Sequence, residues 1–319
     1  MLPKARTFFA LILLAPFFAS AQPWRPSAGI ASSHELKIGE STLQVDFANG
    51  SMDLTPDQVL KHVRDAAEAI AVYYGRFPVA RARILVVPTQ GGGRHQAIGG
   101  TTWGGVDGFQ AFTRLRIAEH ATVADLDDDW VTTHELDHMA FPDLPKENHW
   151  MEEGLASYIE PIARVMTGNL QAPRIWADMV RGMPQGEPGP GDQGLDRTHT
   201  WGRTYWGGAL FCLVADVEIR RQTHNRKGLR DALRAIVAEG GTIDHSWPLE
   251  RALAIGDKAT GKNVLTDMYA KWKDSPVEVD LPKLWEELGV HSTGNGVELL
   301  NNAPLAKVRE AITKAAISR

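Results

Sequence analysis

Residues 131–158 read VTTHELDHMAFPDLPKENHWMEEGLASY, and the spacing within this stretch decides the reading of the chain. His134, Glu135 and His138 form the pattern H-E-x-x-H, and Glu153 follows after fourteen intervening residues in E-G-x-A-x-Y. On a helix turning every 3.6 residues, positions 134 and 138 stack on one face, so both imidazoles reach one metal while Glu135 lies beside it. Two nitrogens and one carboxylate leave a fourth position for water. That open position separates a catalytic zinc from a structural one, and the metal brings water to a pKa of roughly 7, where Glu135 can take its proton. The competing reading of His134 and His138 is two helical residues paired with nearby carboxylates.

The flanks favour the metal. ATVADLDDDWV places aspartates ahead of an apolar, helix-compatible run. After the motif the chain leaves the helix at Phe141-Pro142, crosses a polar loop and starts a second helix near Trp150, which brings Glu153 back beside the first. Asp143, Glu147, His149, Glu152 and Glu153 are the candidates for third ligand. A third histidine in the H-E-x-x-H-x-x-G-x-x-H arrangement is excluded, because Phe141 and Leu144 stand where Gly and His are needed. Glu152 and Glu153 point about 100° apart on a helix, so only one faces the metal. Glu153 is the preferred ligand and Glu152 the alternative, otherwise a cleft-facing or supporting carboxylate.

With these residues in view, the sequence resembles the glutamate-zincin (gluzincin) metallopeptidases. WMEEGLASY (150–158) is similar to the W-x-x-E-G-x-x-x-Y helix of zinc aminopeptidases, and TYWGGA (204–209) resembles their Y-x-K-G-A segment. LFCLVADVEIRRQT and GLRDALRAIV, which follow, look most like the catalytic domain of the glycyl aminopeptidase family. The resemblance covers about residues 124–275. It implies zinc held by His134, His138 and Glu153, Glu135 as general base and acid, and Tyr205 as the hydroxyl that stabilises the oxyanion. A phenol with pKa near 10 stays protonated to meet that charge; the alternative for Tyr205 is a core aromatic beside Trp201 and Trp206. Three departures stand out. The G-x-M-E-N segment that holds a substrate's amino terminus has no counterpart, the equivalent region reading AIGGTTWGGVDGF. Gly207 replaces the lysine of Y-x-K-G-A, and the chain has no room for the family's large N-terminal β domain and C-terminal PDZ domain. Endo and exo cleavage are both left open.

The chain opens MLPKARTFFALILLAPFFASAQPW, with Lys4 and Arg6 ahead of an apolar run and a small-residue site at Ala19-Ser20-Ala21. This is the pattern of a cleavable signal peptide over residues 1–21, too short for a membrane span. Its removal takes the formal net charge from −5 to −7, a balance that argues against a nucleic-acid partner. The expected location is secreted or periplasmic, with no membrane anchor after cleavage. A single cysteine excludes an internal disulfide, and Cys212, in an apolar helical stretch, reads as a buried small residue.

Residues 22–319 are expected to form one catalytic domain: an N-terminal α/β part over about 34–142 that contains the H-E-x-x-H helix, and a mainly helical part over 143–319. Residues 22–33 read as a leader. SSHELKIG and STLQVDFA alternate as strands do, Pro56 after Thr55 opens a helix that Gly75 closes, and ARILVVP and TRLRIA are further strands. The glycine-dense segment 91–108 is either an edge strand along the cleft or a surface loop, with Trp103 a substrate wall or an anchor. MPQGEPGPGDQG (183–194) is a loop, either a flap or a plain connection. VHSTGNGVELL reads as a hairpin around Asn295-Gly296, followed by a final helix. His199 and Arg203 are candidates to assist the oxyanion or bind a substrate carboxylate, with surface or structural roles as the alternative. GDKATGKN (256–263) lacks the Ser or Thr of a phosphate loop, and no G-x-S-x-G is present. The expectation is an α+β, zincin-like fold of two subdomains with the cleft between them: a zinc peptidase acting on peptide or protein substrates. The alternative is a secreted zincin-fold binding or scaffold protein without turnover.

Overall fold

The computed structural model describes residues 29–90, 97–294 and 296–315; residues 1–21, read from the sequence as a signal peptide, residues 91–96 of the glycine-dense tract and Asn295 of the expected hairpin turn lie outside the described residues. Alternating side chains build the antiparallel pair β1 (Ile30–Ile38) and β2 (Ser41–Ala48). β1 starts at Ile30, inside the tract read as leader, because Ile30 still pairs with Ala48 across an irregularity between Ile30 and Ser32. α1 (Pro56–Tyr74) begins at a capping box, Thr55 accepting from the Gln58 amide while the Gln58 side chain accepts from the Thr55 amide. Gly75, in the left-handed region at φ 85°, ends it.

The helix returns the chain to β3 (Arg81–Thr89), parallel to β2. A hairpin of β4 (Ile98–Val106) and β5 (Phe109–Ala118) completes the sheet, whose order is β1-β2-β3-β5-β4. β5 lies parallel to β3, and β4 runs antiparallel on the outer edge. Val59, Val63, Ala67 and Ile70 of α1 are buried in the same core as Leu43, Val45, Ile84 and Leu115 of the sheet. Burial of each such aliphatic side chain contributes about 1.5–3 kcal/mol.

Helices dominate from there on: α2 (Val123–Asp128), α3 (Val131–Asp137), α4 (His149–Met166), α5 (Ala172–Gly182), α6 (Gly208–Gln222), α7 (Leu229–Ala238), α8 (Leu249–Thr260), α9 (Val264–Trp272) and α10 (Leu281–Leu288). A small hairpin, β6 (Val290–Thr293) with β7 (Gly296–Leu299), and α11 (Ala306–Ile312) close the described chain. The arrangement is α+β. α4 is buried on nearly every side, touching α1, α3 and α6, which suits its apolar sequence. Buried carboxylates tie these helices together. Asp216 on α6 accepts from Tyr158 on α4, from Arg220, and from the backbone amide of Leu229 that opens α7.

Candidate metal centre and cleft

Asp129 breaks the aspartate-rich stretch into two helices instead of one. Its carboxylate accepts from the amides of Val131 at 2.8 Å and Thr132 at 3.0 Å, satisfying the free N–H groups that open α3. His134 sits on α3. His138 starts a single 3-10 turn, His138–Ala140, but its backbone stays right-handed at φ −53° and ψ −27°, so its ring keeps its place above His134. The two ring centroids are 4.9 Å apart. Phe141 is extended and ends the run.

The second helix is aimed by its own start. Asp196, from the loop before α6, accepts from Asn148 Nδ2 at 3.0 Å, Trp150 Nε1 at 2.7 Å and the Tyr269 hydroxyl at 2.8 Å. Fixed in this way, α4 directs Glu153 at the histidines: Oε2 lies 3.0 Å from His134 Nε2 and 3.7 Å from His138 Nε2. The three residues offer ligand atoms within 4.8 Å of one another. Glu152 is engaged elsewhere, accepting from the Leu144 amide at 3.1 Å and lying 3.0 Å from His149 Nδ1. His149 also reaches the outer oxygen of Glu153 at 3.3 Å, Asp143 accepts from Ser246, and Glu147 is exposed. Of the five third-ligand candidates, Glu153 is the one that the fold brings to both histidines.

Electrostatics within this trio fit a metal-binding donor set. Burial pulls His138 down to about 4, which keeps its imidazole neutral. Burial pushes Glu153 up, but the hydrogen bond from His134 and the neighbouring imidazoles outweigh it and hold the carboxyl at about 2. For His134, burial is outweighed by the same bond to Glu153, and its pKa is raised. A carboxylate that is ionised throughout the neutral range, facing two imidazoles, is the donor chemistry that zinc takes.

Glu135 lies beside the trio, and burial raises its pKa despite the charge of His134 and a hydrogen bond from Thr102. Tyr205 arrives on a π-helical turn, Arg203–Gly207, that leads into α6. Such turns insert one extra residue and concentrate at functional sites. The Tyr205 ring stacks near His134, with centroids 6.2 Å apart, and Trp201 covers it at 5.5 Å. Its phenol is pushed up to about 12 by burial and by the charge and hydrogen bond of Glu153. Glycines make this approach feasible: a Cβ on Gly154 would overlap the backbone of Gly208, and one on Gly208 would overlap the carbonyl of Trp150.

β4 forms the wall of a cavity of about 780 Å³ that also takes in His134, Glu135, Glu153 and Tyr205. Its glycines therefore belong to a strand, the first of the two readings of this segment. Trp103 stacks on Phe112 at 5.6 Å, with the Arg114 guanidinium above it, beside the buried Leu85, and it also belongs to the lining of the cavity. Sequence reasoning missed the far wall, where Ile243, Asp244 and Ser246 line the cavity, and Trp130, whose ring meets His134 edge-on at 5.2 Å. No motif marks those positions. Arg203 is buried, paired with Asp192 at 2.8 Å and bonded to the Gly186 carbonyl, so it is structural; His199 is exposed. The 183–194 segment packs at Gly194 against Lys273–Ser275 and is a connection.

No protein-family model matches the chain, and no curated protein matches its sequence. Among solved structures it is similar to an aminopeptidase N family protein from Idiomarina loihiensis, with a TM-score of 0.61 and 14% identity over 81% of this chain and 49% of that one. It is also similar to a two-domain M1 zinc metallopeptidase variant bound to L-arginine, with a TM-score of 0.51 and 14% identity over 79% of this chain and 53% of that one. The chain thus spans about half the length of each. At this identity the likeness establishes the fold alone, an α+β arrangement shared with these zinc metallopeptidases.

Proposed function

We propose that this protein is a secreted or periplasmic zinc-dependent peptidase that hydrolyses bonds in peptide or protein substrates. The observation that carries the reading is the convergence of His134, His138, Glu153, Glu135 and Tyr205 on one cleft walled by an edge strand. His134, His138 and Glu153 would hold the zinc, which when bound supplies Lewis acidity toward water and the scissile carbonyl. Glu135 removes the proton of the attacking water and later delivers it to the leaving amine. The Tyr205 hydroxyl donates to the oxygen on which negative charge develops. The outer edge of β4, unpaired among the described residues, offers backbone groups to an extended substrate, with its glycines permitting close approach. Export is supported by the charged, apolar and small-residue pattern of residues 1–21.

Metal content and cleavage of a mixed peptide library, measured on wild type and Glu135→Gln, test this reading. One equivalent of zinc in both proteins, with cleavage by wild type alone, is the expected result. Absence of zinc, or undiminished cleavage by Glu135→Gln, would sink the assignment. Zinc in both without cleavage by either would move the protein to the non-catalytic binding class.

A further inference from the structure

Residues 100, 102 and 104 share one face of β4, because side chains alternate along a strand. All three meet the catalytic side of the molecule at close range. A Cβ on Gly100 would overlap Glu135 Cγ, and one on Gly104 would overlap the carbonyl of Ile243. Between them, the Thr102 hydroxyl lies 2.8 Å from Glu135 Oε2 and 2.9 Å from the Glu135 carbonyl oxygen. Behind it stands Thr113, fully buried and paired with Thr102 across the β4–β5 ladder, its hydroxyl 2.9 Å from that of Thr102.

We propose that Thr102 is a positioning residue for Glu135, holding its carboxylate in one orientation at the end of a hydroxyl relay that starts at Thr113. The direction of the relay follows from proton supply. A hydroxyl has one proton to give, and the backbone oxygen and ionised carboxylate of Glu135 can only accept. Thr102 must therefore donate its one proton to Glu135, where Oε2 and the carbonyl oxygen share it, and Thr113 must donate to Thr102; the opposite order would leave both acceptors facing the lone pairs of Thr102. Each donation polarises the next. With Oε2 held, Oε1 is left to receive a proton from the cleft. Gly100 contributes by leaving room for the glutamate stem.

This inference rests on the reading of Glu135 as general base, and the experiment separates the two. Thr102→Val keeps the shape and removes the hydroxyl. Expected are wild-type zinc content and a single cooperative melt, KM within about twofold of wild type, and kcat lower by about 10- to 100-fold, the range for a misplaced catalytic group. Thr102→Ser, which restores the donor, returns most of kcat. A crystal structure of Thr102→Val shows the Glu135 carboxylate displaced from its wild-type position. A Thr102→Val enzyme with wild-type kcat overturns the positioning role while leaving the peptidase reading intact. If wild type cleaves nothing, the peptidase reading fails by itself. The crystal structure then decides the relay, because an unmoved Glu135 in Thr102→Val overturns it.

Discussion

The Tyr205 phenol is held near His134 under the exposed Trp201, and burial together with the charge of Glu153 pushes its pKa up to about 12. A donor with a raised pKa stays protonated until the pH approaches that value, so across the neutral range its proton is always present. Tyr205→Phe should therefore lower kcat by about 10²- to 10³-fold, the loss typical of one oxyanion donor, with zinc content unchanged. The wild-type to variant ratio should also be the same at pH 6, 7.5 and 9. A ratio that shrinks toward pH 9 would show the phenol ionising in that window and refute the donor role. The residues of this centre were legible in sequence to unequal degrees. His134 and His138 follow from helical geometry, which survives the 3-10 turn because its backbone stays right-handed. The 100° between Glu152 and Glu153 showed that one must be chosen. What draws Glu152 away from the histidines is the 3.1 Å bond from the Leu144 amide, a loop contact that no periodicity encodes. Thr102 carried no signal, since a threonine in a glycine-rich tract looks like any other strand former.

Among the elements, α4 is the one on which the centre turns, and its glycine and acid make separate demands. Gly154 follows Glu153 directly and faces Gly208, where α4 and α6 touch backbone to backbone. A methyl group there must push α6 away, and the π-helical turn bearing Tyr205 goes with it. Gly154→Ala should destabilise the fold by about 1–3 kcal/mol through overpacking and reduce kcat. Equilibrium urea unfolding and steady-state kinetics measure the two effects, and a variant with wild-type stability would show that α6 accommodates the methyl without moving. Gly208 in TYWGGA and Gly100 and Gly104 in IGGTTWGG thus mark close approach; reading such a tract as a loop fails because composition alone does not distinguish a flexible segment from a crowded one. Two turns beyond Glu153, Glu160 is buried and bonded to Arg164 at 2.8 Å. Burial raises its pKa to about 7 despite Arg164, against about 4.3 in an unfolded chain. The folded protein then retains a proton that the unfolded chain releases. The associated stability is fully present below about pH 4.3 and is lost as the pH rises through 7. Glutamine does not titrate, so thermal melts from pH 5 to 8 should show Glu160→Gln gaining on wild type as pH increases. A constant difference across that range would contradict the raised pKa.

At the scale of the whole molecule, the centre lies where the two kinds of structure meet. α3 leans on β4 and α1, whereas α4 packs into the helical layers through α6, and the donor trio spans the junction. The sheet supplies the cleft edge, Thr102 and the support of Glu135; the helices supply Glu153 and Tyr205. The order of elements was legible because alternation, caps and proline placement are local signals. The far wall at Ile243–Ser246 was not, because it is made by long-range contact: Asp143 and Ser246 form a bridge across about a hundred residues of chain. A ligand that binds only the folded state stabilises it by RT ln(1 + [L]/Kd), about 2.7 kcal/mol at a hundredfold excess over Kd. A metal joining α3 to α4 should contribute on that scale, since neither helix alone carries the complete donor set. The bond between His134 and Glu153 at 3.0 Å keeps the donors together without a metal, so a chelated protein should remain folded. Treatment with a chelator is therefore expected to lower the melting temperature by several degrees while preserving one cooperative transition, and added zinc should restore it. His138→Ala should melt at the same temperature with and without chelator. A wild-type melting temperature that does not respond to chelation would mean that the trio holds no metal under those conditions, and that the bond between His134 and Glu153 holds the donors together without one.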